Sequence, residues 1–555
     1  MKKILIIILL ITASASGTFA QFFDKQEGFT RKDSLRGELS AARSCYDVTF
    51  YDLKVKVDIF NKRIDGSNAI YYAVVNDFKT LQIDLTEKLA ISNIYFGDKT
   101  LQFDREFDAV FVHFPEKQLK GTKGMIRVEY GGMPQIAKNA PWDGGFSFTA
   151  DKQGYPWVGI SCQGLGASVW WPNKDHLSDE PDSMLIRAIV PADLKCIANG
   201  NLRAETADIQ GFKQYDWFVS YPINNYNVSL NIGRYVHLED VYTSDDGEKL
   251  AIDYYVLDYN AEIAKKHFVQ VKPMLACFEE FLGKYPFYKD GYAMVETPYL
   301  GMEHQSSIAY GNQYKTGYMG FDYSGIGLDF DYIIIHESGH EWWGNNVSVK
   351  DIADLWVHEG FCTYSETMYV ECMFDKQTAM NYLTAMKGNI GNAEPIIGKY
   401  KVNNEGSGDM YKKGALILNT LRTLTDNDEL WWSIIKGIQK DYALQTVTSQ
   451  QIENYISRKA GKDFSKEFDQ YLRRSKIPVL EYSLNPTSNG LEFKYRWVTP
   501  DKEFAMPMRY LNEKKELIWI YPTSQWQSLS LTGVSLTQFK LDEEHFYFEG
   551  RMVKP

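Results

Sequence analysis

Tyr332 to Glu366 reads YIIIHESGHEWWGNNVSVKDIADLWVHEGFCTYSE, and the remainder of the chain is arranged around it. Its centre is the HExxH motif His336-Glu337-Ser338-Gly339-His340. On an α-helix, residues four apart stack on one face, so His336 and His340 can offer two imidazoles to one metal, with Glu337 about 100° round beside them. A catalytic zinc takes three protein ligands and keeps its fourth position for water. Glu359, separated from His340 by 18 residues, is the candidate third ligand. Gly344-Asn345-Asn346 reads as a helix stop and Asp351 to Asp354 as a restart, so a second helix can pack on the first and bring Glu359 back to the metal. The plainer alternative is a pair of satisfied core histidines. Against it stand Tyr332-Ile333-Ile334-Ile335, which would hold the helix in a core, and a glutamate at a usable distance.

A chain of 555 residues is long enough for two to four domains, each with ample core. Apolar residues at 44% and charged residues at 24% are ordinary for a soluble globular protein, while aromatics at 15% lean towards β-rich structure and carbohydrate or peptide surfaces. The N-terminus, MKKILIIILLITASASGTFAQ, has a basic n-region at Lys2-Lys3, an apolar run from Ile4 to about Ile11 and small residues up to Ala20. It reads as a secretory signal peptide over residues 1–20, which makes the protein periplasmic or secreted. No later stretch approaches the roughly 20 apolar residues a membrane span requires. Without residues 1–20 the chain has 58 basic and 72 acidic residues, a formal charge of −14 that disfavours nucleic acid as a partner. The six cysteines show no CxxC and no regular spacing, so most read as buried free thiols, and Cys162 with Cys196 is a guess at a bridge.

From about Cys45 the pattern has period 2. Leu53, Val55, Val57 and Ile59 alternate with Lys54, Lys56 and Asp58, and Asn61 to Gly66 turns the chain into Ala69-Ile70-Tyr71-Tyr72, a hairpin. Short strands follow at residues 80–84, 124–130, 183–190, 215–220 and 228–236, predicting an all-β domain over residues 21–257. Within it, Cys162 to Asp175 is loop-like, open between a packed surface loop and a ligand-facing one. At Ala261 the period becomes helical and continues to Leu282. A strand at residues 292–296 and then helices at 376–387, 411–424, 429–440, 449–459 and 465–473 make a mainly helical catalytic domain over residues 258–477. Period 2 returns at Leu491, Phe493, Tyr495 and Trp497, predicting a small β-sandwich over residues 478–555. The expected fold class is therefore a multidomain α+β protein.

Four signatures stand in one order: GMEHQ at Gly301 to Gln305, the HExxH with Glu359, Trp356-Val357-His358-Glu359-Gly360-Phe361, and Tyr411-Lys412-Lys413-Gly414. In these the chain resembles the gluzincin aminopeptidases, the family of aminopeptidase N and leukotriene hydrolase, with its GxMEN loop, zinc site, WxxEGF helix and YxKG. The resemblance is specific from about Ala261 to Leu424 and looser in the flanking β domains. It implies a saddle-like N-terminal domain and a thermolysin-like catalytic domain. It also implies one Zn2+ per chain on His336, His340 and Glu359, with Glu337 activating water and Tyr411 stabilising an oxyanion. Glu303, with Gly301 and Met302 in the same loop, would bind the free α-amino group of a peptide, assisted by Gln163 from the N-terminal domain.

Elementary chemistry supports the same assignments. A carboxylate one residue from a metal ligand can pass a proton from water to the leaving amine, and a phenol aimed at developing charge is worth about 3 to 4 kcal/mol. Tyr411 as an ordinary core tyrosine remains the plainer reading of that residue alone. Glu366, about two helical turns beyond Glu359, is a candidate to orient a zinc histidine, with a surface salt bridge as the alternative. His304 and His358 depart from the family's asparagines, and Gly339 sits inside the zinc helix at a cost of about 1 kcal/mol relative to alanine. Many relatives carry a large C-terminal helical domain that only about 75 β-patterned residues replace here. The expectation is an exported zinc aminopeptidase acting on peptides with a free N-terminus. An endopeptidase, an epoxide hydrolase and a non-catalytic peptide-binding scaffold are the competitors, and side-chain preference and oligomeric state are left open.

Overall fold

The computed structural model describes residues 28–207 and 211–554, so the leader-like residues 1–20 lie outside the described residues. The N-terminal sheet is organised on Tyr46–Asp58, where Leu53, Val55 and Val57 are fully buried and Lys54 is exposed, as alternation requires of a half-buried strand. This strand pairs antiparallel with Arg63–Val74 through the expected hairpin and parallel with Ser183–Pro191, at the centre of eight strands. A three-stranded sheet around Ala109–Gln118 and a four-stranded one holding Pro156–Ser161 and Asn231–Gly233 close the same core. The stretch from Cys162 to Asp175 is divided: Trp170 and Trp171 are fully buried in that core, while Gln163 hydrogen-bonds into the site described below.

The sheet that carries the site begins before residue 257. Tyr235–Thr243 and Lys249–Leu257 pair with each other, and the second runs parallel to Tyr292–Glu296, which is followed by Ile308–Tyr310 and the edge strand Gly301–Met302. The change of period at Ala261 marks where the chain turns helical, because periodicity reports an element's type and not the sheet it joins. The helix read over residues 261–282 is two helices, Ala261–His267 and Val271–Leu282, joined by a 3-10 turn. Pro273 explains the break: lacking an N–H, it is tolerated in the first turn of the second helix and not in the middle of one long helix. The remaining helices, Lys376–Met386, Lys412–Thr425, Asp428–Asp441, Ser449–Ala460 and Ser465–Leu472, lie within a residue or two of the segments read from sequence.

Cys277 and Cys372 form a disulfide between the helix Val271–Leu282 and the end of Trp356–Met373. Cys162 and Cys196 are separate buried thiols, as are Cys45 and Cys362, so the guessed bridge is not made. The C-terminal strands form a four-stranded sheet around Val479–Thr487 and Gly490–Val498 and a three-stranded sheet around Met508–Leu511, the expected sandwich. One hydrophobic cluster runs without interruption from Tyr242 to Phe548, so the sandwich shares its core with the helical body. Asn419 donates to His545 O at 3.2 Å and Tyr547 N to Thr420 Oγ1 at 3.2 Å, tying the sandwich to the helix Lys412–Thr425.

Candidate active site

Tyr332–Gly339 is a short helix capped by Asp331, whose Oδ1 accepts from Ile333 N at 2.9 Å and Ile334 N at 3.3 Å. It ends at Gly339, before the Gly344-Asn345-Asn346 stop read from sequence, so Gly339 is its last residue and not an interior one. His340 follows with helical dihedrals, φ −65° and ψ −21°, and therefore keeps the one-turn relation to His336. Trp356–Met373 is the second helix, with Glu359 in its first turn.

Both imidazoles are held from behind. His336 Nδ1 donates to Glu366 Oε1 at 2.7 Å, and His340 Nδ1 donates to the Trp343 carbonyl at 2.9 Å. Each ring thus turns Nε2 towards Glu359 Oε2, at 3.5 Å from His336 and 3.4 Å from His340. That oxygen is buried and has no hydrogen-bond partner. Tetrahedral zinc with bonds of about 2.1 Å places its ligand atoms about 3.4 Å apart, so these three donors fit one zinc ion. Electrostatics agree with a cation here. Burial disfavours charge on His336, but Glu359 and Glu366 outweigh it and hold the ring well above its ordinary pKa. The His336 side chain is 16% exposed and that of His340 is 1%, so the site opens to solvent on the His336 side.

Glu337 lies on the same helix, nearly buried, and donor atoms of Glu303, Glu337 and His340 all fall within 4.8 Å of one another. Burial pushes Glu337 up to about 7 against the opposing field of His336 and His340. Gly301 is required beside it: a Cβ there would stand 2.6 Å from Glu337 Oε1 and 2.9 Å from Ile333 Cγ2. Met302 is buried against Tyr299 and Ala309, anchoring the loop that presents Glu303. Glu303 is itself buried, and its Oε1 accepts from Gln163 Nε2 at 2.6 Å and from Tyr226 OH at 2.9 Å. The same Gln163 amide donates to Glu359 Oε1 at 2.8 Å, so one side chain of the N-terminal domain bridges the two carboxylates. Asn345 Nδ2 holds the Glu303 carbonyl at 3.0 Å.

Tyr411 precedes the helix Lys412–Thr425, its ring lying over that of His336 with centroids 6.0 Å apart and planes 23° from parallel. Burial first and Glu359 second hold its phenol well above the ordinary range, so it stays a neutral donor. Its position relative to Glu359 is set by two glycines of the motifs. A Cβ on Gly414 would approach Gly360 Cα to 2.7 Å, and only glycine at both positions lets the two helices come this close. Lys413, buried, donates Nζ to the carbonyls of Arg474 and Ser475 at 3.3 and 3.0 Å.

Sequence reading missed Tyr226 and Tyr382, the latter donating to Glu366 behind His336. Neither stands in a motif, so no local signal marks them. His304 and His358 are buried neutral rings: burial lowers both to about 3, and His358 Nε2 accepts from Val349 N at 3.0 Å. Glu366 is buried at hydrogen-bond distance from a zinc-facing histidine and is not at the surface.

Comparison with known proteins agrees with this geometry. The model of the "Peptidase family M1 domain" matches residues 268–471. A probable aminopeptidase 2 of Sulfurisphaera tokodaii is 23% identical over 469 residues, covering 80% of this chain and 55% of that protein. Aminopeptidase N of Escherichia coli is 22% identical over 333 residues, 56% of this chain and 38% of that protein. The chain spans about half the length of the curated relatives it matches. Among solved structures, the M1 zinc metallopeptidase of Deinococcus radiodurans shares the fold with a TM-score of 0.66 at 18% identity, over 78% of this chain and 94% of its own. Residues 268–471 are thus similar to the peptidase family M1 domain, that of the gluzincin aminopeptidases.

Proposed function

We propose that this protein is an exported zinc aminopeptidase that releases single residues from the free N-termini of peptides. His336, His340 and Glu359 would hold zinc, which when bound would supply a Lewis acid for the scissile carbonyl and for the attacking water. Glu337 accepts the proton of the attacking water and returns it to the leaving amine, and Tyr411 donates its hydroxyl to the developing oxyanion. Glu303 receives the α-ammonium, steadied by Gln163 and Tyr226. Glu366 orients His336.

The observation that carries the exopeptidase reading is the buried Glu303 carboxylate within 4.8 Å of His340 and Glu337. Three other residues already complete a zinc site, so this anion is left for a substrate cation. It also stands where a chain continuing past the first residue would have to pass. Turnover of free-amine and N-acetylated peptides by the zinc-loaded protein tests it: only the free amines should be cleaved, and equal rates would sink the reading. Export is supported by the N-terminal sequence and by the Cys277–Cys372 disulfide, which suits an oxidising compartment. Mature protein recovered from the producing cells should begin at Gln21, outside the cytoplasm.

A further inference from the structure

Glu341 follows His340 directly, and the chemistry above gives it no role. It is fully buried, where a carboxyl group is costly unless its oxygens are hydrogen-bonded. Oε1 accepts from Ser306 N at 3.0 Å and from Asn345 Nδ2 at 3.2 Å, and Oε2 accepts from Tyr285 OH at 2.7 Å. The first two contacts lead to the loop that presents Glu303. Ser306 turns that loop back into the strand Ile308–Tyr310 with φ 52°, a left-handed conformation that a buried serine keeps only where its surroundings hold it. It is held on two sides, by Glu341 at its N–H and by Gly200, whose N–H donates to Ser306 Oγ at 3.0 Å. Asn345 carries the same grip to the other end of the turn. Its Nδ2 is shared between Glu341 Oε1 and the Glu303 carbonyl, and its Oδ1 accepts from Asn227 Nδ2 at 2.6 Å.

Glu341 therefore clasps the loop at Glu303 and at Ser306 from a backbone position continuous with His340. Gln163 bridges the two sides of the site through the carboxylates themselves, whereas Glu341 joins the backbone segments that carry them. In the aminopeptidase reading this spacing matters. A substrate's ammonium and its scissile carbonyl are separated by a single Cα, so Glu303 and the metal must stand at the one distance that this covalent geometry allows. A misplacement of about 1 Å is enough to cost roughly 100-fold in rate.

We propose that Glu341 is a positioning residue that sets the distance between the metal and the Glu303 carboxylate, by tying the loop Glu303–Ser306 to the segment that carries His340. The proposal rests on the aminopeptidase reading. The test measures, by calorimetry on the zinc-loaded protein, binding of leucine hydroxamate and N-acetylleucine hydroxamate, which share a metal-binding group and a side chain and differ in the ammonium. The unaltered protein should bind the free amine more tightly by about 10-fold to 150-fold. Glu341→Leu should keep zinc, bind the acetylated compound as before and bring the ratio to within about 3-fold of parity. Glu341→Asp, too short to reach Ser306 N and Tyr285 OH together, should lose an intermediate share, and it carries the test if Glu341→Leu does not fold. Glu341→Gln should restore the ratio: its amide oxygen can accept from Ser306 and Asn345, and its Nε2 can donate to the Tyr285 hydroxyl, which has Gly291 O at 3.0 Å for its own hydrogen. A purely structural role would lower Tm in the leucine and aspartate variants without moving the ratio. A native ratio in Glu341→Leu or Glu341→Asp, loss of zinc from either, or a glutamine variant that fails to restore it would overturn the proposal while leaving an aminopeptidase. Equal binding of the two hydroxamates by the unaltered protein would overturn the amine anchor of the aminopeptidase reading and this inference with it.

Discussion

The active site has two halves of different origin. The metal half, His336, His340, Glu359 and the supporting Glu366, comes from two successive helices within 31 residues of sequence. The other half, proposed to face the substrate amine, joins Glu303 to Gln163 and Tyr226, 140 and 77 residues away along the chain. In the first, helical periodicity alone puts donors on one face. In the second, nothing local brings the groups together; two bodies must dock. A metal-ligand set can thus be read from a short segment, whereas in the proposed function selection of the substrate's end would depend on the interface between the N-terminal domain and the catalytic body. Gln163 sits on the seam, donating to one carboxylate of each half.

If the halves are functionally separate, variants in one should change zinc content or the rate for every substrate alike, and variants in the other only the discrimination of free amines. The largest effect belongs to the metal half. Glu359→Ala should lose zinc and all turnover, while Glu337→Ala should keep zinc and fall by roughly 10²-fold to 10⁴-fold in kcat, as loss of a general base does. Metal analysis showing Glu337→Ala empty and Glu359→Ala full would reverse the two roles. Tyr411→Phe should lower kcat by about 10²-fold to 10³-fold with zinc retained, the usual cost of an oxyanion donor. An unchanged kcat would make Tyr411 the core tyrosine of the plainer reading.

The comparison sharpens at Glu303. Glu303→Gln should lower kcat/KM for free-amine peptides by about 10-fold to 150-fold, narrow the gap to acetylated ones and leave zinc bound. An unchanged ratio of free to acetylated rates would remove Glu303 as the amine anchor. Glu366→Gln should weaken zinc affinity by about 10-fold to 100-fold with no change in that ratio, since it acts through His336. Titration with a competing chelator measures it, and wild-type affinity would make the His336 contact incidental. The smallest effect is expected of Tyr226→Phe. Losing one hydrogen bond to Glu303 should cost about 3-fold to 10-fold in kcat/KM for free amines. Zinc loss in this variant would break the division between the halves.

Element type was legible almost throughout, because alternation at Leu53, Val55 and Val57 and helical spacing after Lys376 are direct consequences of burying one face. Errors came where elements are joined. Tyr235–Thr243 and Lys249–Leu257 have the period of the preceding strands yet pair into the catalytic sheet, and Pro273 splits a helix whose apolar spacing is continuous. Trp170 and Trp171 left a packed loop and a ligand-facing one equally open, because aromatic residues mark both binding surfaces and cores, and only burial separates the two.

By itself the sequence marked His336, His340, Glu359, Glu337, Glu303 and Tyr411 as candidate site residues, since each stands in a motif. Tertiary structure alone decided that Glu366 faces His336 rather than solvent, that Tyr226 and Gln163 close on Glu303, and that Gly360 and Gly414 touch. The reason is one of range. Backbone periodicity fixes relations over a few residues, while contacts across 50 to 200 residues depend on how the apolar faces of separate elements pack, and no local pattern records that.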